Sequence, residues 1–291
     1  MKNRTLPTRL TPLMEARFGL DGGAMFGIIP RPLWERTNPA DAQNRIDMAC
    51  RCLLVEYPDR NVLVDCGIGS KWSQKERGIY NINAQDTALT EALNARGLSP
   101  ADIDDVILTH LHFDHVGGAS EFAGEGDAQR VRATFANARH WVQRRNWAWA
   151  NGPSARDGGS YRPIDFTFFE TQADAPPLEL VDGIAEIMPG IEVLPMHGHT
   201  FGMQVLKITT AEHTFAYVAD LIPTTSHMRD PYVMGYDIQP LVTVEEKRGL
   251  LYEASRNDWI LIFGHDPSTS FARVELDKRG RPSAVPLDID F

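Results

Sequence analysis

Three histidines and an aspartate crowd into six residues at His110-Leu111-His112-Phe113-Asp114-His115, directly behind the apolar run Val106-Ile107-Leu108. No other feature constrains the fold as strongly. Ionisable side chains taken out of water without partners are expensive. A chain that places four of them at the end of a buried strand must therefore bring something to them. Imidazole and carboxylate together suit Zn²⁺ and related first-row divalent ions. Residues two apart on an extended segment point the same way, so His110 and His112 can grip one ion. Asp114 and His115 follow where Gly117-Gly118 lets the chain turn away, and they can serve a neighbouring ion.

The remaining ligands have to come from later in the chain. His199 lies in Pro195-Met196-His197-Gly198-His199-Thr200, just past an expected strand. Asp220 ends the run Phe215-Ala216-Tyr217-Val218-Ala219, and His265 follows residues 259–263 through Gly264. Each stands just after an apolar strand, the edge at which α/β folds place their sites. Asp220 is then the carboxylate that bridges two ions. With three or more protein ligands each, the ions leave room for a shared water.

Composition bounds the rest. The longest hydrophobic run is five residues, far short of the roughly 20 that span a membrane. Residues 1–19 carry no apolar stretch of signal-peptide type. The 29 basic and 39 acidic residues leave a net charge of −10, which argues against the basic footprint of nucleic-acid binding. Cys50, Cys52 and Cys66 are too few and too irregular for a disulfide framework. They read as buried strand thiols in a reducing compartment, so a cytoplasmic location is expected.

Along the chain, strands are expected over residues 9–18, 48–57, 62–65, 104–108, 131–135, 191–195, 204–209, 215–219, 259–263 and 272–276. The second and third form a hairpin across Pro58-Asp59-Arg60-Asn61. Helices are expected over 86–96, stopped by Gly97, over 138–150, and over 244–257. On the second of these Trp141 and Trp149 share a face. Residues 22–41, punctuated by Gly and Pro, read as a long ordered loop. No low-complexity linker separates the halves, so residues 1–291 read as a single α/β domain made of two similar parts.

His110-Leu111-His112-Phe113-Asp114-His115 resembles the HxHxDH signature of the metallo-β-lactamase superfamily. His199, Asp220 and His265 match that family's later ligand positions in order, and Gly198-His199-Thr200 its Gly-His-Thr turn. Val64-Asp65-Cys66-Gly67 resembles its early Asp-x-Gly strand end. The resemblance implies a four-layer αβ/βα sandwich, two mixed β-sheets packed face to face with helices outside. It implies that His110, His112 and His199 hold a first metal, that Asp114, His115 and His265 hold a second, and that Asp220 bridges. Zn²⁺ is the ion expected by ligand type, with iron, cobalt and manganese open because metal selection follows availability. Asp65 is the residue expected to orient a ligand histidine.

The activity implied is that of a dinuclear hydrolase. Metal binding lowers the pKa of water towards about 7, and a metal-bridging hydroxide would attack an ester carbonyl. Asp114 and Asp220 are the carboxylates at the reacting centre, Asp114 able to orient the nucleophile or pass a proton. Cysteine-ligated zinc β-lactamases place Cys where Asp220 stands, and flavodiiron proteins place Glu where His112 stands. The pattern is more similar to quorum-quenching lactonases, to methyl-parathion-type phosphotriesterases and arylesterases, and to glyoxalase-type thioesterases. A mononuclear-iron persulfide dioxygenase is a further alternative. The lactonase tyrosine three residues past the bridging aspartate is here Pro223. His227, Tyr232 and Tyr236 are candidates for its role, and Phe26 for an apolar substrate wall. The expected partner is a small-molecule substrate, with no nucleic acid or membrane. The apolar residues of 22–41 leave a homodimer open. His197 lacks the Gly-His-Thr context of His199, and His140 and His213 read as surface residues.

Overall fold

The computed structural model describes residues 5–83, 89–123 and 130–288. Its contacts divide the chain into two units: Thr8–Arg17 with Cys50–Asp182, and residues 18–49 with 183–288 plus the start of the chain. β1 (Arg9–Asp21) and β2 (Arg45–Glu56) contribute residues to both.

In the first unit a mixed six-stranded sheet has the order β1, β2, β3 (Asn61–Val64), β4 (Asp105–Ile107), β7 (Arg139–Gln143), β8 (Leu178–Val181). A separate ribbon pairs β5 (Ser120–Ala123) with β6 (Arg130–Ala133). β2 and β3 are the expected hairpin, with Leu53 opposite Val64. β3, β4, β7 and β8 then run parallel. β2 alternates little between buried and exposed, and all of β4 is buried, as befits strands covered on both faces. Leu13, Leu63, Val106, Leu111, Phe135 and Phe166 belong to one continuous core.

Close backbone packing ties the histidine-rich segment to the turn after β3. A Cβ on Gly117 would sit 2.3 Å from the Ile68 carbonyl oxygen, and one on Gly118 2.0 Å from that of Cys66. These glycines therefore serve close approach. Gly117 itself has ordinary helical torsions.

The second unit holds a mixed seven-stranded sheet. In order it runs from β15 (Pro282–Leu287) through β14 (Phe271–Leu276), β13 (Ile260–Ile262), β12 (Thr214–Tyr217), β11 (Met203–Thr209) and β10 (Ile191–Met196) to β9 (Ala185–Met188). Only β12 and β13 pair in parallel, Phe215 beside Ile260. The helix Pro240–Arg256 is the crossover such a pair requires. The carboxyl ends of β12 and β13 consequently lie side by side. Two α/β sheets of mixed direction match the fold class expected from the sequence.

Some expectations need correcting. Residues 138–150 are not one helix: β7 comes first and the helix spans Arg144–Ala150. His140 and Val142 are buried on either side of the half-buried Trp141, and pairing with β4 and β8 overrides local helix preference. Trp141 thus sits on a strand, donating from Nε1 to Asp105 Oδ1 at 2.9 Å. Residues 22–41 contain two short helices, Gly22–Phe26 and Arg31–Trp34, the first capped by the Asp21 carboxylate. The helix expected over 86–96 is seen as Leu89–Asn94, its first residues lying outside those described. Gly97 ends it at φ +74°. Among the described residues no helix is long and apolar enough to cross a membrane.

Candidate metal centre

In the first unit the chain leaves β4 and enters the short helix Phe113–Val116, with His112 at its N-cap position. His110, His112, Asp114 and His115 are all buried. The His110 and His112 rings lie 4.5 Å apart between centroids, and His110 and His115 4.0 Å. The i, i+2 pair therefore does share a side. The Tyr161 ring packs 4.6 Å from that of His112.

Asp65 ends β3 at φ +58° and is buried, a left-handed conformation that aspartate tolerates better than most residues. Its Oδ1 accepts from the Thr109 N–H at 2.8 Å. Its Oδ2 accepts from the Thr109 hydroxyl at 2.9 Å and faces His115 Nδ1 at 2.8 Å. A carboxylate only accepts, so this contact assigns the His115 proton to Nδ1 and leaves Nε2 a lone pair. The Thr109 hydroxyl oxygen stands 3.1 Å from His110 Nδ1, which fixes that ring likewise. Asn146 Oδ1 accepts from the Leu111 N–H at 2.9 Å, and the Cys50 thiol donates to the Asp114 carbonyl at 3.0 Å. The Glu15 carboxylate accepts from the backbone of Ile68 and Gly69. Burial pushes its pKa up to about 7.

In the second unit three side chains meet. His199 Nε2 lies 3.2 Å from Asp220 Oδ2, and His265 Nε2 3.0 Å from Asp220 Oδ1. Behind them, His199 Nδ1 faces Asp237 Oδ1 at 2.9 Å and His265 Nδ1 faces the Ala49 carbonyl at 2.8 Å. Both rear partners are pure acceptors, so each Nδ1 carries a proton. In the neutral rings, each Nε2 lone pair would then confront an anionic oxygen. Acceptor facing acceptor in a buried site is repulsive unless positive charge intervenes. Imidazole and carboxylate are ligands that divalent first-row ions accept. The donor set of His199, Asp220 and His265 thus fits a metal ion.

The remaining candidates lie in the second unit. Phe26 is fully buried, stacked between Trp34 at 5.4 Å and His227 at 4.6 Å. His227 Nδ1 pairs with the Thr224 hydroxyl at 2.8 Å and Nε2 with the Met25 carbonyl at 2.9 Å. Burial drives its pKa down to about 4, so it is neutral. Phe26 and His227 pack against each other in the interior of this unit. Tyr232 is partly buried, edge-on to Phe26, and Tyr236 is partly buried. His197 Nδ1 accepts from the Gly202 N–H at 3.1 Å. His140, expected at the surface, is fully buried and its pKa is pushed down to about 3. His213 is partly buried.

Sequence reasoning missed Asp237, Glu15 and Asn146. No periodicity or spacing marks any of them, because each acts across 35 or more residues of chain.

Residues 45–265 match the model of the metallo-beta-lactamase superfamily, and the chain belongs to that superfamily. It is 25% identical over 249 residues to a probable metallo-hydrolase of Mycobacterium tuberculosis, covering 76% of each protein. It is 28% identical over 255 residues to the N-acyl homoserine lactonase AiiB of Agrobacterium fabrum, covering 78% of this chain and 83% of that one. The crystal structure of a probable metal-dependent hydrolase from Staphylococcus aureus superposes with a TM-score of 0.85 at 27% identity, covering 98% and 99% of the chains. The dizinc quorum-quenching lactonase AidC shares the fold, with a TM-score of 0.77 at 17% identity and 99% of both chains covered.

Proposed function

We propose that this superfamily member is a dinuclear metal-dependent hydrolase that opens a small lactone or carboxylic ester. One observation carries the reading: two imidazoles, each locked by its rear hydrogen bond, aim lone pairs at the two oxygens of Asp220. In this reading His110, His112, His199 and Asp220 hold one ion, and Asp114, His115 and His265 hold the other with Asp220 shared. Zn²⁺ is the default by ligand type. When bound, such ions supply Lewis acidity and bring the pKa of water to about 7. Asp65 keeps the proton of His115 on Nδ1, and Asp237 does the same for His199. The Asp114 carboxylate holds or passes the proton that the leaving oxygen must receive. Tyr232, edge-on to Phe26, and Tyr236, both partly buried, are the substrate-side candidates together with Phe26 and His227. Named lactonases among the relatives support the choice of a lactone.

The test is metal analysis of purified protein together with a panel of lactones, aryl esters, phosphotriesters, thioesters and glutathione persulfide. Close to two ions per chain, lactone or ester turnover abolished by chelation, and an inactive His112→Ala are expected. Undiminished turnover in His112→Ala refutes the assignment. Oxygen uptake with persulfide, at one iron per chain, would replace it with dioxygenase chemistry.

A further inference from the structure

The helix Pro240–Arg256 carries two neighbouring charged residues that grip different backbone segments. Glu246 accepts from the N–H groups of His197 at 2.7 Å and Gly198 at 3.0 Å. Lys247 is fully buried, and its ammonium donates to three carbonyls: His227 at 3.0 Å, Arg229 at 2.9 Å and Tyr232 at 2.9 Å. An ammonium has three protons, and here each finds one acceptor. A buried lysine is costly unless such partners are supplied. The same helix touches Gly198 so closely that a Cβ there would stand 2.4 Å from the Thr243 nitrogen.

The two segments differ in what they carry. Residues 197–199 lead into His199. Residues 227–232 carry His227, which props Phe26, and Tyr232, which meets Phe26 edge-on. Asp237, whose charge also acts on Lys247, is held through the backbone that follows it. Ile238 N–H donates to the His199 carbonyl and Gln239 N–H to that of Gly198. The Gln239 side chain donates to the His197 carbonyl. Loss of Lys247 removes the three anchors of 227–232, while the backbone bonds of Ile238 and Gln239 to the His199 and Gly198 carbonyls remain. Loss of Glu246 acts on the metal side.

We propose that Glu246 and Lys247 form a two-pronged clasp in which Glu246 positions the backbone that presents His199 and Lys247 positions the substrate-side segment 227–232. What the two prongs serve, and the kinetic and metal-loss arms of the test, rest on the hydrolase reading; the exchange arms do not.

The experiment uses full-length, metal-loaded Lys247→Ala, Lys247→Arg and Glu246→Gln. Amide hydrogen exchange in 225–236 accelerates at least tenfold in Lys247→Ala, with no change across residues 50–182. Propylammonium, which replaces the missing alkyl-ammonium, restores protection, whereas tetramethylammonium does not. On the best ester of the panel, KM rises at least tenfold while kcat stays within threefold and metal content is unchanged. Lys247→Arg gives intermediate values. Glu246→Gln shows the opposite split, with exchange rising at 197–202 and metal lost to a chelator faster. Exchange in 225–236 that is unchanged, or that rises equally throughout the chain, overturns the clasp. Wild-type protein without turnover on any ester refutes the hydrolase reading and leaves the exchange result to decide the clasp.

Discussion

Asp65→Asn changes one oxygen of the candidate centre, the Oδ2 that faces His115 Nδ1 and also accepts from the Thr109 hydroxyl. Asparagine retains Oδ1, so the Thr109 N–H keeps its 2.8 Å acceptor, and it tolerates the φ of +58° as aspartate does. Its amide nitrogen, however, replaces the Oδ2 that faces His115 Nδ1 at 2.8 Å. Donor then meets donor, and the imidazole must move its proton to Nε2, the nitrogen that the metal needs. Stability should fall by about 3–6 kcal/mol at most, since two hydrogen bonds to the carboxylate are lost, each worth about 1.5–3 kcal/mol. Metal affinity should fall about 10–100-fold, as for other partners of ligand histidines. Asp65→Ala is less informative. It strands the Thr109 N–H as well, and alanine tolerates positive φ poorly, so the fold itself is at stake. The assays are chelator competition on loaded protein, denaturant unfolding of metal-free protein, and ¹⁵N NMR of the His115 ring. If Asp65→Asn binds metal within threefold of wild type, with the proton still on Nδ1, the tautomer argument fails.

Two further outcomes follow from the same geometry. Asp237→Asn should release His199 from its tautomer and speed metal loss to a chelator by about 10–100-fold. Replacement that leaves the off-rate unchanged would remove Asp237 from the centre. Burial holds the folded-state pKa of His140 at about 3, below its ordinary 6.5. The unfolded chain therefore takes up a proton that the fold refuses. The contribution is fully present above pH 6.5 and is lost progressively as pH falls from there towards 3. His140→Phe should flatten the acid limb of the stability curve, and the wild-type His140 ring should show no NMR titration between about pH 7.5 and 5. A His140 titrating near its ordinary pKa would contradict its burial.

What the sequence makes legible follows the range of the physics involved. The hairpin of β2 and β3, the strands leading to His110, Asp220 and His265, and the glycine ending the helix at Leu89–Asn94 are written in local alternation and punctuation. The i, i+2 histidines could be placed on one side because extended backbone repeats every two residues. Residues 139–143 could not be recognised as a strand, since Arg139-His140-Trp141-Val142-Gln143 becomes one only by pairing with β4 and β8 on either side. Phe26 reads as a pocket wall and His227 as a substrate contact near the mouth in a one-dimensional reading. A chain separation of about 200 residues hides the stack that buries them. Asp237 and Lys247 are harder still. An aspartate or lysine is ordinarily solvent-facing, and only tertiary packing turns these two inward to a histidine nitrogen and a ring of carbonyls. Candidate ligands can thus be named from sequence because chemistry restricts their type and strand ends restrict their place. The groups that set each ligand's proton are constrained by neither, which is why their substitution is the sharper test of the site.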